Sequence, residues 1–274
     1  MRTNYAKKIV LGISCFLGSV AVLILYILNI TSIQTAYQTI GGGFFVVFVI
    51  GLRMIVLSLM AWTMFRKWFQ AERQFYDDIP FLFGLFFLIL VFGKSLDLLY
   101  NLVFYTASPE TFTLIYKLRY VIAVLDLAPL YVLSLEVILF ALASYKDKHK
   151  LESKQYRNKV KFTILTFMTT IELVAVVFFL DVHSSRYILP TIVIPSILMI
   201  AIIFAFTFKN KLLTQINSLL LCLSFFLYLS SQILRPIAQT LLGLTASYII
   251  FSELVDLVIF MLVFIGLLVK PRYS

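Results

Sequence analysis

The sequence has few of the residues that build metal centres, disulfide frameworks and most catalytic sites. It contains two cysteines, two histidines, ten glycines and seven prolines in 274 residues. Cys15 and Cys222 lie far apart in apolar runs, so the sequence offers no disulfide framework and no CxxC metal motif. His149 and His183 lie in polar connections, which argues against haem ligation or a metal-hydrolase site within the protein. No metal site is therefore predicted.

Charged residues are also scarce. Asp, Glu, Lys and Arg make up 13% of the chain, hydrophobic residues make up 62%, and the mean hydropathy is +1.00. A soluble domain typically has about 25% charged and about 45–50% apolar residues. Because this chain has too little polar surface to cover itself in water, its composition predicts an all-α, polytopic membrane protein.

Eight apolar runs are long enough to span a bilayer, which needs about 20 residues. They are interpreted as a signal-anchor helix followed by a seven-helix core, within a single transmembrane domain over residues 1–274. Pro129 and Pro236 lie inside the two longest runs and predict kinks or breaks there. The predicted spans cover about residues 9–30, 43–65, 79–104, 114–144, 161–181, 187–208, 213–243 and 246–269.

The basic residues predict the orientation of these spans. Most of the 23 Lys and Arg residues lie at the span ends that share a side with the N-terminus, whereas Lys117 and Arg186 lie at the opposite ends. By the positive-inside rule, both termini are predicted to be cytoplasmic, in a protein of the cell membrane. The net charge of +10 then reflects topology, and no nucleic-acid partner is predicted. The basic connector over residues 146–161 is predicted to contact anionic lipid headgroups.

Ionisable and polar side chains inside the spans are the candidate functional residues. On insertion scales, an Asp, Lys or Arg at the centre of a span costs about 2.5–3.5 kcal/mol, so most of them are predicted to face inward and pair. In the predicted orientation they share the outer half of the membrane and form a charged polar cavity for a small ligand or ion. The predicted polar network comprises Arg53, Lys94, Asp97, Asn101, Arg119, Asp126, Glu172, Gln232, Arg235, Glu253 and Asp256.

Two interpretations of these charges stay open at this point. The ion pairs can line a functional cavity, or they can lock the helices in register without any ligand. Glu136 lies in the predicted cytoplasmic half, where it is a possible proton relay. The alternative for Glu136 is snorkelling, or a hydrogen bond to Ser134 or to a neighbouring helix.

The fourth predicted span carries a recognisable pattern, Arg119-Tyr120 followed by Pro129-Leu130. This string resembles the third helix of microbial rhodopsins and the seven-helix membrane sensor modules of some histidine kinases and related receptors. The resemblance implies a seven-helix sensor fold. Because this chain carries no kinase or other output domain, the resemblance also implies a partner protein that supplies the output.

The same resemblance bears on the cofactor. In the rhodopsin pattern, Asp256 would occupy the place of the counter-ion aspartate on the last helix. The lysine that binds retinal would follow four residues later, and Phe260 stands there instead. No retinal or other cofactor is therefore predicted.

These observations predict a receptor or sensor that is not an enzyme and that binds a small polar ligand or ion. One alternative is a secondary transporter or an ion or proton channel that uses the same charges, for which Glu136 would connect the cavity to the cytoplasm. A further alternative is an accessory membrane subunit of a larger complex. An enzyme is not predicted because the sequence lacks a nucleophile–base pair, an HExxH motif and an aspartate-rich metal motif.

Overall fold

A computed structural model describes residues 2–39, 42–103, 106–145, 153–179, 185–243 and 245–271. All of the regular structure in these ranges is helical, which confirms the all-α prediction. A π-helical turn over Ala175–Phe179 continues the sixth helix. The helices are α1 (Arg2–Leu28), α2 (Ile30–Thr39), α3 (Gly43–Gln70), α4 (Ile79–Val103), α5 (Pro109–Tyr145), α6 (Lys154–Val174), α7 (Ser185–Lys209), α8 (Ser218–Leu242) and α9 (Ala246–Leu268).

Seven of the helices in the described ranges are long and apolar enough to cross a membrane. They are α1, α3, α4, α5, α6, α8 and α9, whereas α7 has a shorter apolar stretch over Val193–Lys209. The chain is thus a helical, multi-pass membrane protein. The eighth span and the cytoplasmic position of both termini stay predictions.

Three features of the helices differ from the predicted spans. Helix α5 begins at Pro109 rather than near residue 114, and α6 begins at Lys154 rather than near residue 161. In both cases the helix extends into a polar or charged segment, where hydropathy no longer marks it. The short helix α2 was not predicted either, because its Thr and Gln residues lower its hydropathy. It follows α1 after a turn at Asn29, whose side chain donates a hydrogen bond to the Leu25 carbonyl at 2.8 Å.

The earlier start of α6 corrects one part of the predicted headgroup connector. Lys161 lies two turns inside α6 and is 1% exposed. Its ammonium group contacts Glu136 at 2.7 Å, so it is not available to lipid headgroups. Residues 146–152 lie outside the described residues, and headgroup binding by the rest of the connector stays a prediction.

Residues Met1–Asp126 form one compact unit, here called the N-terminal unit. Helices α1, α2 and α3 each contact α4, which lies at the centre of the unit. The Tyr26 hydroxyl of α1 donates a hydrogen bond to the Ser95 carbonyl of α4 at 2.8 Å. Gly18 of α1 faces the Phe92 ring, where a Cβ atom would lie 2.8 Å from the ring edge. The predicted signal-anchor helix is therefore packed against the rest of its unit.

Aromatic side chains hold the first turns of α1. The Lys7 ammonium group donates a hydrogen bond to the Gln74 carbonyl at 2.9 Å. It also lies 5.2 Å from the Trp68 ring centroid and 5.1 Å from that of Tyr76. Trp68 is buried, and its indole N–H donates to the Phe75 carbonyl at 2.9 Å. Cation–π contacts of this kind are worth about 0.5–2 kcal/mol, so they tie α1 to the end of α3.

Residues Leu127–Ser274 form the second compact unit, here called the C-terminal unit. In it, α8 packs against both α7 and α9. The Phe204 and Phe225 rings stack with their centroids 5.6 Å apart. The backbone amide of Asn217 donates a hydrogen bond to the Gly266 carbonyl at 2.8 Å. The single transmembrane domain predicted over residues 1–274 stays a prediction.

Gly266 allows the close approach of α8 and α9, and this gives a first testable prediction. A Cβ atom at Gly266 would lie 3.1 Å from the Leu221 side chain and 3.4 Å from its amide nitrogen. A Cβ atom at Gly51 of α3 would have no described atom within 4 Å other than those of its own helix turn. Replacing a helical glycine by alanine gains about 1 kcal/mol of helix propensity. We expect Gly51→Ala to raise the melting temperature in detergent, and Gly266→Ala to lose that gain through the contact with Leu221. Equal increases for both variants would contradict this packing.

Candidate functional site

The N-terminal unit contains a group of charged residues on α3, α4 and α5, here called the Asp97 cluster. Its members are Arg53, Lys94, Asp97, Arg119 and Asp126. The Lys94 ammonium group donates to Asp97 Oδ2 at 2.6 Å, and the Arg119 guanidinium group pairs with Asp97 Oδ1. The i, i+3 spacing of Lys94 and Asp97 on α4 brings the first pair together. The second pair joins α4 to α5.

Three of the five members of the Asp97 cluster are buried. Arg53 is 1%, Lys94 7% and Asp97 8% exposed. Arg53 interacts electrostatically with Asp97, and Asp126 interacts with both Lys94 and Asp97. Three of the five side chains are cations and two are carboxylates. In a medium of low dielectric constant, a cation attracts an anion more strongly than it would in water.

Tyrosine rings surround the Arg119 side chain. Its guanidinium carbon lies 5.0 Å from the Tyr100 ring centroid and 5.2 Å from that of Tyr120. The rings of Phe112 and Tyr116 pack beside Tyr100, at centroid distances of 5.1 and 5.4 Å. The Arg119 side chain is 27% exposed, so it forms the accessible edge of the cluster. Sequence reasoning did not assign these tyrosines to the site, although Tyr100 lies three residues after the central aspartate.

Asn101 was predicted to continue the polar stripe of α4. It is half-buried, and its side chain makes no hydrogen bond to another described residue. Its contribution to the network stays a prediction.

A second ion pair lies in the C-terminal unit and joins α8 to α9. The Arg235 guanidinium group pairs with Asp256 Oδ2, and the Ser231 hydroxyl donates to Asp256 Oδ1 at 3.3 Å. Asp256 is fully buried. The Tyr248 hydroxyl donates to the Arg235 backbone carbonyl at 3.2 Å. Glu253 is also buried and lies one turn before Asp256 on α9, as the i, i+3 spacing predicted.

Pro236 follows Arg235 inside α8. Because proline has no amide hydrogen, it cannot donate to the Gln232 carbonyl as a regular helical residue would. Gln232 is half-buried one turn before this point. The use of its carbonyl by a ligand stays a prediction.

A third polar site in the C-terminal unit links α5, α6 and α7. The Tyr131 hydroxyl donates to Glu172 Oε1 at 2.9 Å and also contacts the Ser196 hydroxyl. All three side chains are buried. The prediction included Glu172 but missed Tyr131 and Ser196, since tyrosine and serine are common in apolar helices and no charge marks them.

Glu136 makes two ion pairs near the start of α6. Its carboxylate lies 2.7 Å from the Lys161 ammonium group and 3.7 Å from the Arg157 guanidinium group. Both cations come from the neighbouring helix α6. These contacts favour the alternative in which Glu136 binds a neighbouring helix, and its role as a proton relay stays a prediction.

The contacts described above for the predicted network each lie within one unit. The Asp97 cluster belongs to the N-terminal unit, and the contacts of Glu136, Glu172 and the Arg235–Asp256 pair belong to the C-terminal unit. One outer cavity that includes all of these residues stays a prediction, as does the resemblance to rhodopsin-like and histidine-kinase sensor modules. Within the described ranges, no group of three or more His, Cys, Asp or Glu side chains is arranged to hold a metal ion. No family model, no curated protein and no solved structure matches this chain.

Proposed function

We propose that this chain is a membrane receptor or sensor that binds a small anion, such as a carboxylate, at the Asp97 cluster. The observation that carries the proposal is the convergence of cations from α3, α4 and α5 on the single carboxylate of Asp97. In the orientation predicted from the basic residues, the site opens to the outside of a cell membrane. The receptor would act on a separate output partner.

The chemistry of Arg119 supports an anionic ligand. A guanidinium group is planar and binds a carboxylate through two parallel hydrogen bonds. Arg119 is also partly exposed. A ligand carboxylate that reaches Arg119 would compete with Asp97 for this guanidinium group.

Displacement of Asp97 from Arg119 by the ligand would also provide a signal. The pair between Asp97 and Arg119 joins α4 to α5. When a ligand takes over Arg119, this link is released and α5 can shift against α4. A ligand moves such an equilibrium only by the difference in its affinity for the two arrangements, and here that difference arises from the exchanged ion pair.

Ligand binding gives the direct test. In lipid nanodiscs, we expect acetate, succinate or citrate to raise the melting temperature in a concentration-dependent way, since a ligand of the folded state stabilises it. Acetamide and ethylamine, which carry no negative charge, should have no such effect. Replacing Arg119 by Gln should abolish the stabilisation by the anions.

The matched control is Lys117→Gln, which removes a positive charge two residues earlier on α5. This variant should keep the response to anions. If no anion stabilised the wild type, or if the Arg119 and Lys117 variants responded alike, the proposal would fail. Direct binding measured by calorimetry separates loss of affinity from loss of stability.

The transporter alternative is separated by a flux measurement. A receptor reconstituted in proteoliposomes should carry no anion or proton flux under an imposed gradient. Flux that is lost in Glu136→Gln would instead support transport. In the structure, Glu136 pairs with Lys161 and Arg157 of α6.

A further inference from the structure

The polar site formed by Tyr131, Glu172 and Ser196 differs in chemistry from the Asp97 cluster. The contacts of Glu172 within the described residues include no cation. Its side chain is 8% exposed, and Oε1 accepts one hydrogen bond from Tyr131 at 2.9 Å. The other carboxyl oxygen, Oε2, is fully buried and has no hydrogen-bond partner among the described residues.

This arrangement suits a neutral carboxyl group. An ionised carboxylate presents two acceptor oxygens, and a buried charge is costly unless it is paired and hydrogen-bonded. Here one oxygen has a single donor and the other has none. A proton on Oε2 removes the charge and leaves only one O–H group to satisfy, which costs much less than a bare anionic oxygen. The apolar span Lys154–Phe178 around Glu172 increases that difference.

We propose that Glu172 is a proton-binding site, in which Tyr131 holds the protonated carboxyl group and links it to Ser196. The ligand is a proton from the aqueous phase, and the three side chains come from α5, α6 and α7. The site is independent of anion binding at the Asp97 cluster, so either proposal can fail without the other.

Among the described residues of these three helices, no charged group contacts Glu172. On α6, Lys161 precedes it by eleven residues, about 16 Å along the axis, and pairs with Glu136. On α5, Asp126 and Glu136 lie five residues before and five residues after Tyr131. Among the described side chains of α7, Lys209 is the ionisable one, about 20 Å along the axis from Ser196. Among the described residues, Tyr131 is the titratable group that contacts Glu172.

The π-helical turn over Ala175–Phe179 begins three residues after Glu172. The Ala175 amide is shared between the carbonyls of Ile171 and Glu172, so the regular hydrogen-bond pattern changes at this point. Single π-helical turns inside α-helices often occur at functional sites. This position gives the backbone beside Glu172 a local irregularity that a purely structural polar contact does not require.

Infrared spectroscopy of the full chain in lipid tests the proposal. At neutral pH, we expect the wild type to show the carbonyl stretch of a protonated carboxylic acid, and this band should be absent from Glu172→Gln. In Tyr131→Phe, the band should move to higher frequency, because the carbonyl oxygen loses its hydrogen bond. Glu136→Gln, which alters a carboxylate of the same unit, should leave the band unchanged.

Two results would contradict the assignment of Glu172 as a proton-binding site. An unchanged band in Glu172→Gln would overturn the proposal, and Tyr131→Phe supplies a second readout if Glu172→Gln does not fold. Thermal unfolding in sodium chloride and in choline chloride tests for a metal cation instead. Stabilisation by sodium that is present in the wild type and lost in Glu172→Gln would mean that a metal ion occupies the site, and the proton assignment would then be wrong.

Discussion

Replacing Asp97 by Asn should lower the free energy of unfolding by about 3–5 kcal/mol, the range found when one partner of a buried ion pair is removed. The substitution keeps the shape of the side chain but removes the charge that Lys94 and Arg119 share. Arg53 also loses its electrostatic interaction with Asp97. The buried cations Arg53 and Lys94 then keep their charges without this carboxylate. Unfolding monitored by circular dichroism in mixed detergent micelles measures the change.

Glu72→Gln provides the matched control for this prediction. It removes the same charge from an exposed residue in the connection after α3. Surface substitutions of this kind change stability by about 0.5 kcal/mol or less. If Asp97→Asn were no more harmful than Glu72→Gln, the cluster would contribute nothing to the fold, and its charges would have to be stabilised by other contacts.

In the C-terminal unit, Arg235→Gln should have an effect of similar size, about 3 kcal/mol. Asp256 is fully buried, and the Arg235 guanidinium group contacts it. The variant removes this cation from the buried carboxylate of Asp256. Lys209→Gln removes a positive charge from the exposed end of α7 and should have almost no effect.

A double-mutant cycle isolates the pair itself. Arg235→Gln combined with Asp256→Asn removes both charges, and the double variant should be less destabilised than the sum of the two single variants. Contacting residues typically show coupling free energies of about 0.5–3 kcal/mol. Additive effects would show that the two side chains act independently, contrary to their contact in the structure.

Local patterns in the sequence were enough to predict the long apolar helices and part of the site. Runs of apolar residues located these helices, and the i, i+3 spacing predicted the neighbourhood of Lys94 and Asp97, because both depend on residues close in the chain. The partner of Glu136 could not be predicted in this way. Lys161 was placed in a polar connector, since hydropathy does not show that α6 begins at Lys154.

Contacts between helices were harder to predict for a related physical reason. The pair between Asp97 and Arg119 depends on how α4 and α5 are rotated against each other, and helical periodicity alone does not set that rotation. Tyr131 and Ser196 carry no charge, so no insertion penalty distinguished them from other residues of apolar helices. In the structure, the Tyr131 hydroxyl group contacts both the Glu172 carboxyl group and the Ser196 hydroxyl group.

The Lys7 contact with Trp68 gives the protein an internal optical probe. The chain has two tryptophans, and they lie in opposite environments: Trp62 is 70% exposed on the surface of α3, whereas Trp68 is 1% exposed and lies under the Lys7 ammonium group. Quenchers dissolved in the lipid phase should reach the first indole and spare the second. The emission of Trp68 therefore reports whether the N-terminal helix remains docked, with no added label.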